Sequence, residues 1–165
     1  MRTFIAIDIP DAIKGKIGEY VAPLKEEKAN INWVKPGNIH ITLKFLGEVK
    51  EDKIPEIYEA LKNCLKVYKP FEVEVGGAGG FPSLLRPRVI WVGLKKGSEE
   101  LKAIAKSIDN ELGKLGFQKE KRDFTPHLTI GRVKSNFRIK EIARKINDAE
   151  FGGGIFTARE VLVMK

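Results

Sequence analysis

Segments in which β-branched and aromatic residues run together, or alternate with polar residues, recur along the whole chain and are typical of β-strands. The predicted strands are residues 2–9, 31–34, 39–46, 71–75, 88–94, 126–133 and 155–163. Other segments repeat apolar residues every three or four positions, which is the period of an α-helix with one buried face. The predicted helices are residues 11–27, 54–65, 98–115 and 140–148.

Many connections between these elements are too short for the crossovers that parallel strands need. The pattern therefore predicts an α+β fold with largely antiparallel sheets, and a length of 165 residues suits one domain over residues 1–165. A glycine-rich run at residues 76–82 is interpreted as a flexible loop. It lacks the Gly-Lys-Ser/Thr ending of a P-loop and no helix follows it directly, so we do not expect it to bind a nucleotide.

The charge of the chain bears on its partner. Lys and Arg number 30 against 22 Asp and Glu, which gives a formal net charge of +8. A basic surface favours anionic partners, nucleic acid first among them, although it also serves solubility alone. No apolar run approaches the roughly 20 residues that span a bilayer, and residues 1–8 lack the long apolar stretch of a signal peptide. Because Cys64 is the single cysteine, a disulfide framework is excluded, and we expect a cytoplasmic protein with no membrane partner.

The two histidines stand in matching contexts about half the chain apart. His40 precedes Thr42 by two positions in one predicted strand, and His127 precedes Thr129 by two positions in another. Residues i and i+2 of a strand share a face, so each imidazole shares a face with a hydroxyl. Because Gly-x-Val-Lys follows each motif, an internal duplication is the economical account. If the two halves pack face to face, the motifs converge across a groove.

Two opposed histidines with two hydroxyls suit displacement at a phosphodiester, which needs a base on the attacking oxygen and an acid on the leaving oxygen. An imidazole titrates near neutral pH, so one ring can be neutral while the other is protonated. Hydroxyls and a cation can hold the non-bridging oxygens. The candidate catalytic residues are therefore His40, His127, Thr42 and Thr129, and the chemistry requires no metal or other cofactor.

Other interpretations of these residues stay open. A single strand histidine is more often a structural residue than a catalytic one. A zinc site lacks obvious further ligands, although acidic residues can contribute. A covalent nucleophile is disfavoured, because Cys64 falls in a helical pattern and no serine occupies a nucleophile-elbow motif.

At these residues the chain resembles the two-histidine phosphoesterase superfamily, and specifically the RNA 2′,3′-cyclic phosphodiesterases, historically called 2′-5′ RNA ligases. The resemblance covers most of the chain through residues 2–8, 33–34, 38–47, 79–82, 86–93 and 124–134. It implies a bilobal α+β fold whose two antiparallel sheets carry helices on the outside and an active groove between the lobes. It also implies a monomer that hydrolyses RNA 2′,3′-cyclic phosphate ends to 2′-phosphates without a metal.

The same resemblance implies roles for the individual residues. His40 protonates the departing 3′ oxygen and His127 positions the attacking water, with exchanged roles in ligation. Thr42 and Thr129 bind the phosphate oxygens. Relatives commonly extend past the last strand with a further hairpin, whereas this chain stops at Lys165, so a groove contact from that extension is not expected.

Three further residues are candidates for substrate binding. Arg132 is the expected phosphate cation, but strict alternation places it on the wrong face, so we predict that Gly131 hosts a bulge that turns it back. Phe45 follows His40 by five positions, as Arg132 follows His127. It either stacks on a nucleobase or packs in the core. Lys44 shares the predicted face of His40 and meets either a backbone phosphate or solvent.

The sequence thus predicts an RNA 2′,3′-cyclic phosphodiesterase, with 2′-5′ RNA ligation left open as an added activity. One alternative is a phosphodiesterase for small cyclic nucleotides, which a comparison of mononucleotide and oligonucleotide substrates would separate. Another is a non-catalytic RNA-binding module, whose salt-sensitive affinity would survive replacement of both histidines.

Overall fold

The computed structural model describes residues 1–165 and contains two antiparallel sheets. Its strands are β1 (Arg2–Asp8), β2 (Ile31–Trp33), β3 (His40–Glu48), β4 (Phe71–Phe81), β5 (Val89–Leu94), β6 (His127–Val133), β7 (Gly152–Ala158) and β8 (Leu162–Met164). One sheet has three strands in the order β3-β1-β8, and the other has five in the order β2-β6-β5-β4-β7. Sequence-distant strands are therefore neighbours in both sheets.

Two helices accompany each sheet. They are α1 (Asp11–Lys25), α2 (Ile54–Leu65), α3 (Ser98–Gly113) and α4 (Ile139–Asp148). Helix α3 packs on β3 and α2 packs on α3, whereas α1 packs on β7 of the larger sheet. Helix α4 is tied to the end of α1, because Lys145 Nζ lies 2.9 Å from Glu27 Oε1. The predicted bilobal α+β fold with helices outside its antiparallel sheets is confirmed.

The apolar core fixes which face of each sheet is covered. In α3 the buried residues repeat at helical spacing, and they are Leu101, Ile104, Ala105, Ile108 and Leu112. In β3, Ile41 is fully buried in the same cluster of apolar side chains. That burial leaves the opposite faces of the sheets free for polar residues. None of the four helices has the length and apolar character to cross a bilayer.

The glycine-rich run is a strand, so its interpretation as a flexible loop is wrong. Strand β4 extends through it to Phe81 and pairs with β5, where Gly79 lies opposite Trp91. A Cβ atom at Gly79 would lie 2.5 Å from Cζ2 of the Trp91 ring. Glycine lowers strand propensity, but here its missing side chain makes room for an indole on the sheet surface.

The single strand predicted at residues 155–163 is also wrong, because the chain changes sheets there. Strand β7 pairs with β4 in the larger sheet, and β8 pairs with β1 in the smaller one. Residues 159–161 lie between the two strands and carry the chain from one lobe to the other. An apolar pattern alone does not reveal such a crossing, because apolar residues occur in both strands and do not specify which sheet each strand joins.

Candidate active site

The two histidines begin strands that belong to different sheets and approach each other. His40 is the first residue of β3 and His127 the first of β6, and Cα atoms of these strands come within 8 Å. Ile41 and Leu128, which follow them, are fully buried. The histidines and their threonines are half-buried on the other face of each strand. Both His-x-Thr motifs therefore lie on the sheet faces that point away from the apolar core.

A bulge in β3 decides which residues join His40 on its face. Pairing with β1 places Ala6 opposite Thr42 and Ile5 opposite Lys44, so Leu43 is an extra residue. Beyond such a bulge the alternation of side chains is reversed. Phe45 therefore returns to the face of His40, where it is 68% exposed.

The same bulge turns Lys44 into the core, so its predicted place beside His40 is wrong. The Lys44 side chain is 1% exposed and its Nζ lies 2.5 Å from Asp109 Oδ1 on α3. The ammonium also donates to the Gln118 carbonyl oxygen at 2.9 Å. Burial raises the pKa of Asp109, but the hydrogen bonds from Lys44 and the Glu120 amide, together with nearby positive charge, place that pKa below its ordinary value. Lys44 thus joins β3, α3 and the segment before β6, and does not face the groove.

Strand β6 carries a bulge at the equivalent place. Pairing with β5 runs from Trp91 opposite Thr129 to Ile90 opposite Gly131, which makes Ile130 the extra residue. The predicted bulge is therefore present, one residue earlier than expected. It places Arg132 on the face of Thr129, where its side chain is exposed. Each motif thus has its bulge at the third residue after the histidine, and the fifth residue returns to the groove face.

The surroundings of His40 include a carboxylate. Its Nε2 atom lies 3.5 Å from Asp8 Oδ1, and Lys14 Nζ lies 3.0 Å from the same oxygen. Lys14 also donates to the Gly37 carbonyl oxygen at 3.3 Å. Burial raises the pKa of Asp8, but the hydrogen bonds from Lys14 and the Ile9 amide, with nearby positive charge, place it below its ordinary value. Asp8 is therefore an anion beside His40 at neutral pH.

His127 has a neutral partner instead. Its Nδ1 atom lies 2.7 Å from the Thr125 carbonyl oxygen. A carbonyl only accepts hydrogen bonds, so Nδ1 carries the proton and donates it. In the neutral ring Nε2 then presents a lone pair, which is the form that a general base requires.

Asp8 and Lys14 were not predicted from the sequence as site residues. Asp8 meets His40 only through the pairing of β1 with β3, which no local pattern encodes. Lys14 offered a signal, because it is spaced with Ile17 and Val21 on the buried face of α1. A lysine in an apolar stripe needs an anionic or carbonyl partner, and here it has both.

The arrangement offers two imidazoles in unlike surroundings, two hydroxyls and one exposed guanidinium. Such a set can transfer protons at both ends of a displacement and stabilise charge on the oxygens between them. No group of three or more His, Cys, Asp and Glu side chains is gathered in a way that could hold a metal ion.

Comparison with known proteins gives consistent matches. The profile of the 2′-5′ RNA ligase superfamily matches residues 10–165. A relative from Archaeoglobus fulgidus named RNA 2′,3′-cyclic phosphodiesterase is 42% identical over 156 residues, which cover 92% of this chain and 84% of the relative. A protein of the same name from Methanocaldococcus jannaschii is 40% identical over 168 residues, which cover 100% of this chain and 91% of that protein.

Solved structures share the architecture. Escherichia coli LigT in complex with 3′-AMP superposes with a TM-score of 0.76 at 24% identity, over 98% of this chain and 86% of LigT. At that identity the likeness concerns the fold.

Proposed function

The chain belongs to the 2′-5′ RNA ligase superfamily, and we propose that it hydrolyses RNA 2′,3′-cyclic phosphate ends to 2′-phosphates without a metal ion. It is an enzyme of the RNA 2′,3′-cyclic phosphodiesterase or 2′-5′ RNA ligase type. The finer proposal assigns the chemistry to the two His-x-Thr motifs. The observation that carries it is that both motifs begin strands of contacting lobes and share the same bulged geometry.

The reaction needs one water and two proton transfers. Water attacks phosphorus while His127 Nε2 accepts its proton, and the bond from phosphorus to the 3′ oxygen breaks. His40 gives a proton to that oxygen, which leaves a 3′-hydroxyl and a 2′-phosphate. The two imidazoles then hold exchanged protonation states, and exchange with solvent resets them. Each role typically contributes about 10²–10⁴-fold to the rate.

The unlike partners of the histidines support this division of roles. The Asp8 carboxylate is an anion 3.5 Å from His40 Nε2 and is placed to orient the imidazole of the proposed acid. The hydrogen bond from His127 Nδ1 to the Thr125 carbonyl leaves Nε2 for the water. Thr42, Thr129 and Arg132 share the groove faces and are suited to the non-bridging oxygens, where negative charge develops.

The proposal extends to partners and setting. RNA with a 2′,3′-cyclic phosphate end is the substrate, and the net charge of +8 suits a polyanion. One chain supplies both motifs, so a monomer suffices, and we place its action in the cytoplasm. In 2′-5′ ligation the 5′-hydroxyl of a second RNA would attack phosphorus in place of water, the 3′ oxygen would leave as before, and the same groups would serve.

An end-group assay tests the proposal directly. A short RNA with a 2′,3′-cyclic phosphate end is incubated in EDTA with wild type, His40→Ala, His127→Ala and the control Lys66→Ala, an exposed residue just after α2. We expect a 2′-phosphate product from wild type and the control, and a loss of several orders of magnitude in each histidine variant.

Each alternative predicts a different result. Full activity in either histidine variant would rule out the acid–base pair. Activity that appears only after a metal ion is added back would rule out metal-independent hydrolysis. A phosphodiesterase for small cyclic nucleotides would prefer the cyclic mononucleotide. A binding module would give no product, yet bind the RNA in both histidine variants.

A further inference from the structure

A hollow of about 560 Å³ opens beside the end of β3, away from the histidines. Phe45, Leu46 and Gly47 form one wall, and residues 117–122, from the segment between α3 and β6, form the other. This segment leads directly into the strand that begins with His127. The hollow therefore borders the strand of the first His-x-Thr motif and the segment that precedes the strand of the second.

An exposed aromatic ring connects the hollow with the active site. The Phe45 ring centroid lies 6.1 Å from that of Phe4, which lies 6.1 Å from that of His40. Phe45 is thus within about 12 Å of the His40 ring, on the order of one or two nucleotides along an extended strand. Phe45 contacts Phe4 on one side, but 68% of this large apolar residue is exposed and free to contact a ligand.

The opposite wall is positively charged. Lys119, Lys121 and Arg122 line it, and Glu120 is the one acidic residue among the lining residues. Lys121 and Arg122 are exposed and form no salt bridge. Other cations of the same lobe do form one, such as Lys114 with Glu111. Three cations and one anion leave a net charge of +2 on this wall.

Hydrogen bonds tie residues 118–120 of this wall to the lobe. The buried Lys44 ammonium binds the Gln118 carbonyl oxygen at 2.9 Å. The Glu120 amide donates to Asp109 Oδ1 at 3.1 Å, and Lys119 Nζ donates to Asn110 Oδ1 at 3.0 Å. The backbone just before Lys121 and Arg122 is therefore anchored, which lowers the entropy cost of ordering this segment on a ligand.

We propose that this hollow is a subsite for the nucleotides that precede the cyclic phosphate, so that the substrate is an RNA strand and not a cyclic mononucleotide. The inference rests on the proposed function, because it takes the histidines as the place of the terminal phosphate. A base stacks on Phe45, and the phosphates next to it meet Lys121 and Arg122. Stacking on an aromatic ring beside a basic track is how proteins hold single-stranded nucleic acid. A cyclic mononucleotide has no preceding nucleotide, so it makes no contact with the hollow when its phosphate lies at the histidines.

The first test compares two substrates in two double variants. Lys121→Ala/Arg122→Ala removes the track, and Lys62→Ala/Lys66→Ala removes two exposed cations on and just after α2, on the outer side of the lobe. The measured quantity is the ratio of kcat/KM for a short RNA with a cyclic phosphate end to kcat/KM for cytidine 2′,3′-cyclic phosphate. We expect the first variant to lower this ratio on the order of tenfold and the second to leave it at the wild-type value. A structural defect would lower both rates and leave the ratio unchanged, which overturns the proposal.

A second test isolates stacking. Phe45→Trp keeps a ring, whereas Phe45→Leu keeps apolar bulk without one. We expect the substrate ratio to fall on the order of tenfold in Phe45→Leu and to stay at or above the wild-type value in Phe45→Trp. Equal ratios in both variants contradict a base on this ring. Melting temperatures should match wild type, because the side chain is mostly exposed.

A binding measurement separates this inference from the proposed function. The probe is the same RNA ending in a 2′-phosphate, titrated by fluorescence anisotropy at several salt concentrations. Loss of Lys121 and Arg122 should flatten the slope of log affinity against log salt by about 1.4, because each single-strand phosphate contact contributes about 0.7. If wild type binds with this dependence but has no turnover, the function fails and the subsite stands. If wild type acts on both substrates and neither ratio nor slope changes, the subsite fails and the function stands.

Discussion

At the scale of single residues, Asp8 makes the surroundings of His40 unlike those of His127. Its carboxylate faces the His40 ring at 3.5 Å, and Lys14 holds it from the other side at 3.0 Å. An anion thus faces the His40 ring, whereas the carbonyl beside His127 carries no net charge. An internal duplication would produce two equal motifs, and Asp8 is the residue that makes their surroundings differ.

The substitution Asp8→Asn tests this asymmetry. The amide keeps the shape of the side chain and removes the negative charge that lies 3.5 Å from His40 Nε2. Under the proposed function we expect kcat/KM for a cyclic-phosphate RNA to fall on the order of tenfold, because the anion no longer orients the imidazole that transfers a proton. Steady-state rates at neutral pH measure this, with Lys66→Ala as the control. An unchanged kcat/KM would show that Asp8 does not position His40, and a lower rate together with a lower melting temperature would assign Asp8 a merely structural role.

Lys44 illustrates how a buried charge acts on stability. In Lys44→Met the Asp109 carboxylate, which is 18% exposed, loses its main partner. We expect the free energy of unfolding to fall by about 3 kcal/mol, near the low end for a broken buried pair. Urea denaturation measures the loss. Lys44→Met/Asp109→Leu should recover most of it, because an apolar pair of similar size needs no charge partner.

The contribution of the Lys44–Asp109 pair to the free energy of unfolding should change with pH in one direction. The pKa of Asp109 is lower in the folded than in the unfolded protein, so its stabilisation is present above the unfolded value of about 3.9. It is lost as pH falls through the lower, folded value. Wild type should therefore lose this contribution in acid, and the double variant should not. An equal loss of stability at low pH in wild type and in the double variant would contradict the assignment of this contribution to the Lys44–Asp109 pair.

At the scale of elements, the bulges decide which side chains reach the groove. Leu43 in β3 and Ile130 in β6 are each the third residue after a histidine. Each reverses the alternation, so Phe45 and Arg132 return to the groove face while Lys44 turns away. Bulges commonly re-aim side chains beside active sites, and a bulge repeated in both halves fits a duplicated unit.

Much of this could be predicted from the sequence, and the failures have a common cause. The helices, most strands and the shared faces of each His and Thr follow from periodicity, which is local. Lys44 was misplaced because strict alternation ignores a bulge, and the β4 glycines were misjudged because Trp91 lies across the sheet from them. Asp8 was missed for the same reason, since strand pairing brings it to His40. Contacts between distant segments decided each case.

Alanine substitutions at two glycines are predicted to change the stability of the protein in opposite directions. Gly79→Ala places a Cβ atom 2.5 Å from the Trp91 ring, whereas at Gly15, exposed in α1, nothing lies within 4 Å. We expect Gly79→Ala to destabilise by about 1–3 kcal/mol through overpacking. Gly15→Ala should stabilise by about 0.5–1 kcal/mol through a better helix interior. Thermal unfolding of both variants measures the difference, and equal shifts would rule out the close indole contact.

At the scale of the whole molecule, the approach of the two His-x-Thr strands depends on how two lobes are joined. His40 belongs to the smaller sheet and His127 to the larger one. The chain passes between the lobes again at residues 159–161, and β8 then completes the smaller sheet beside β1. The same β1 carries Asp8, so the strand that places a carboxylate beside His40 is paired on both edges.

Under the proposed function one substrate bridges the lobes, so the two histidines should act as a unit. Each single Ala variant should lose about 10²–10⁴-fold in kcat/KM, since either missing proton transfer leaves the other without effect. The double variant should then lose little more than the worse single variant. Single-turnover rates on a cyclic-phosphate RNA measure this, and His40→Ala/Lys62→Ala, with its second change on α2, should equal His40→Ala. Losses that multiply in the double histidine variant would mean that the lobes contribute independently, and that no concerted acid–base pair spans the groove.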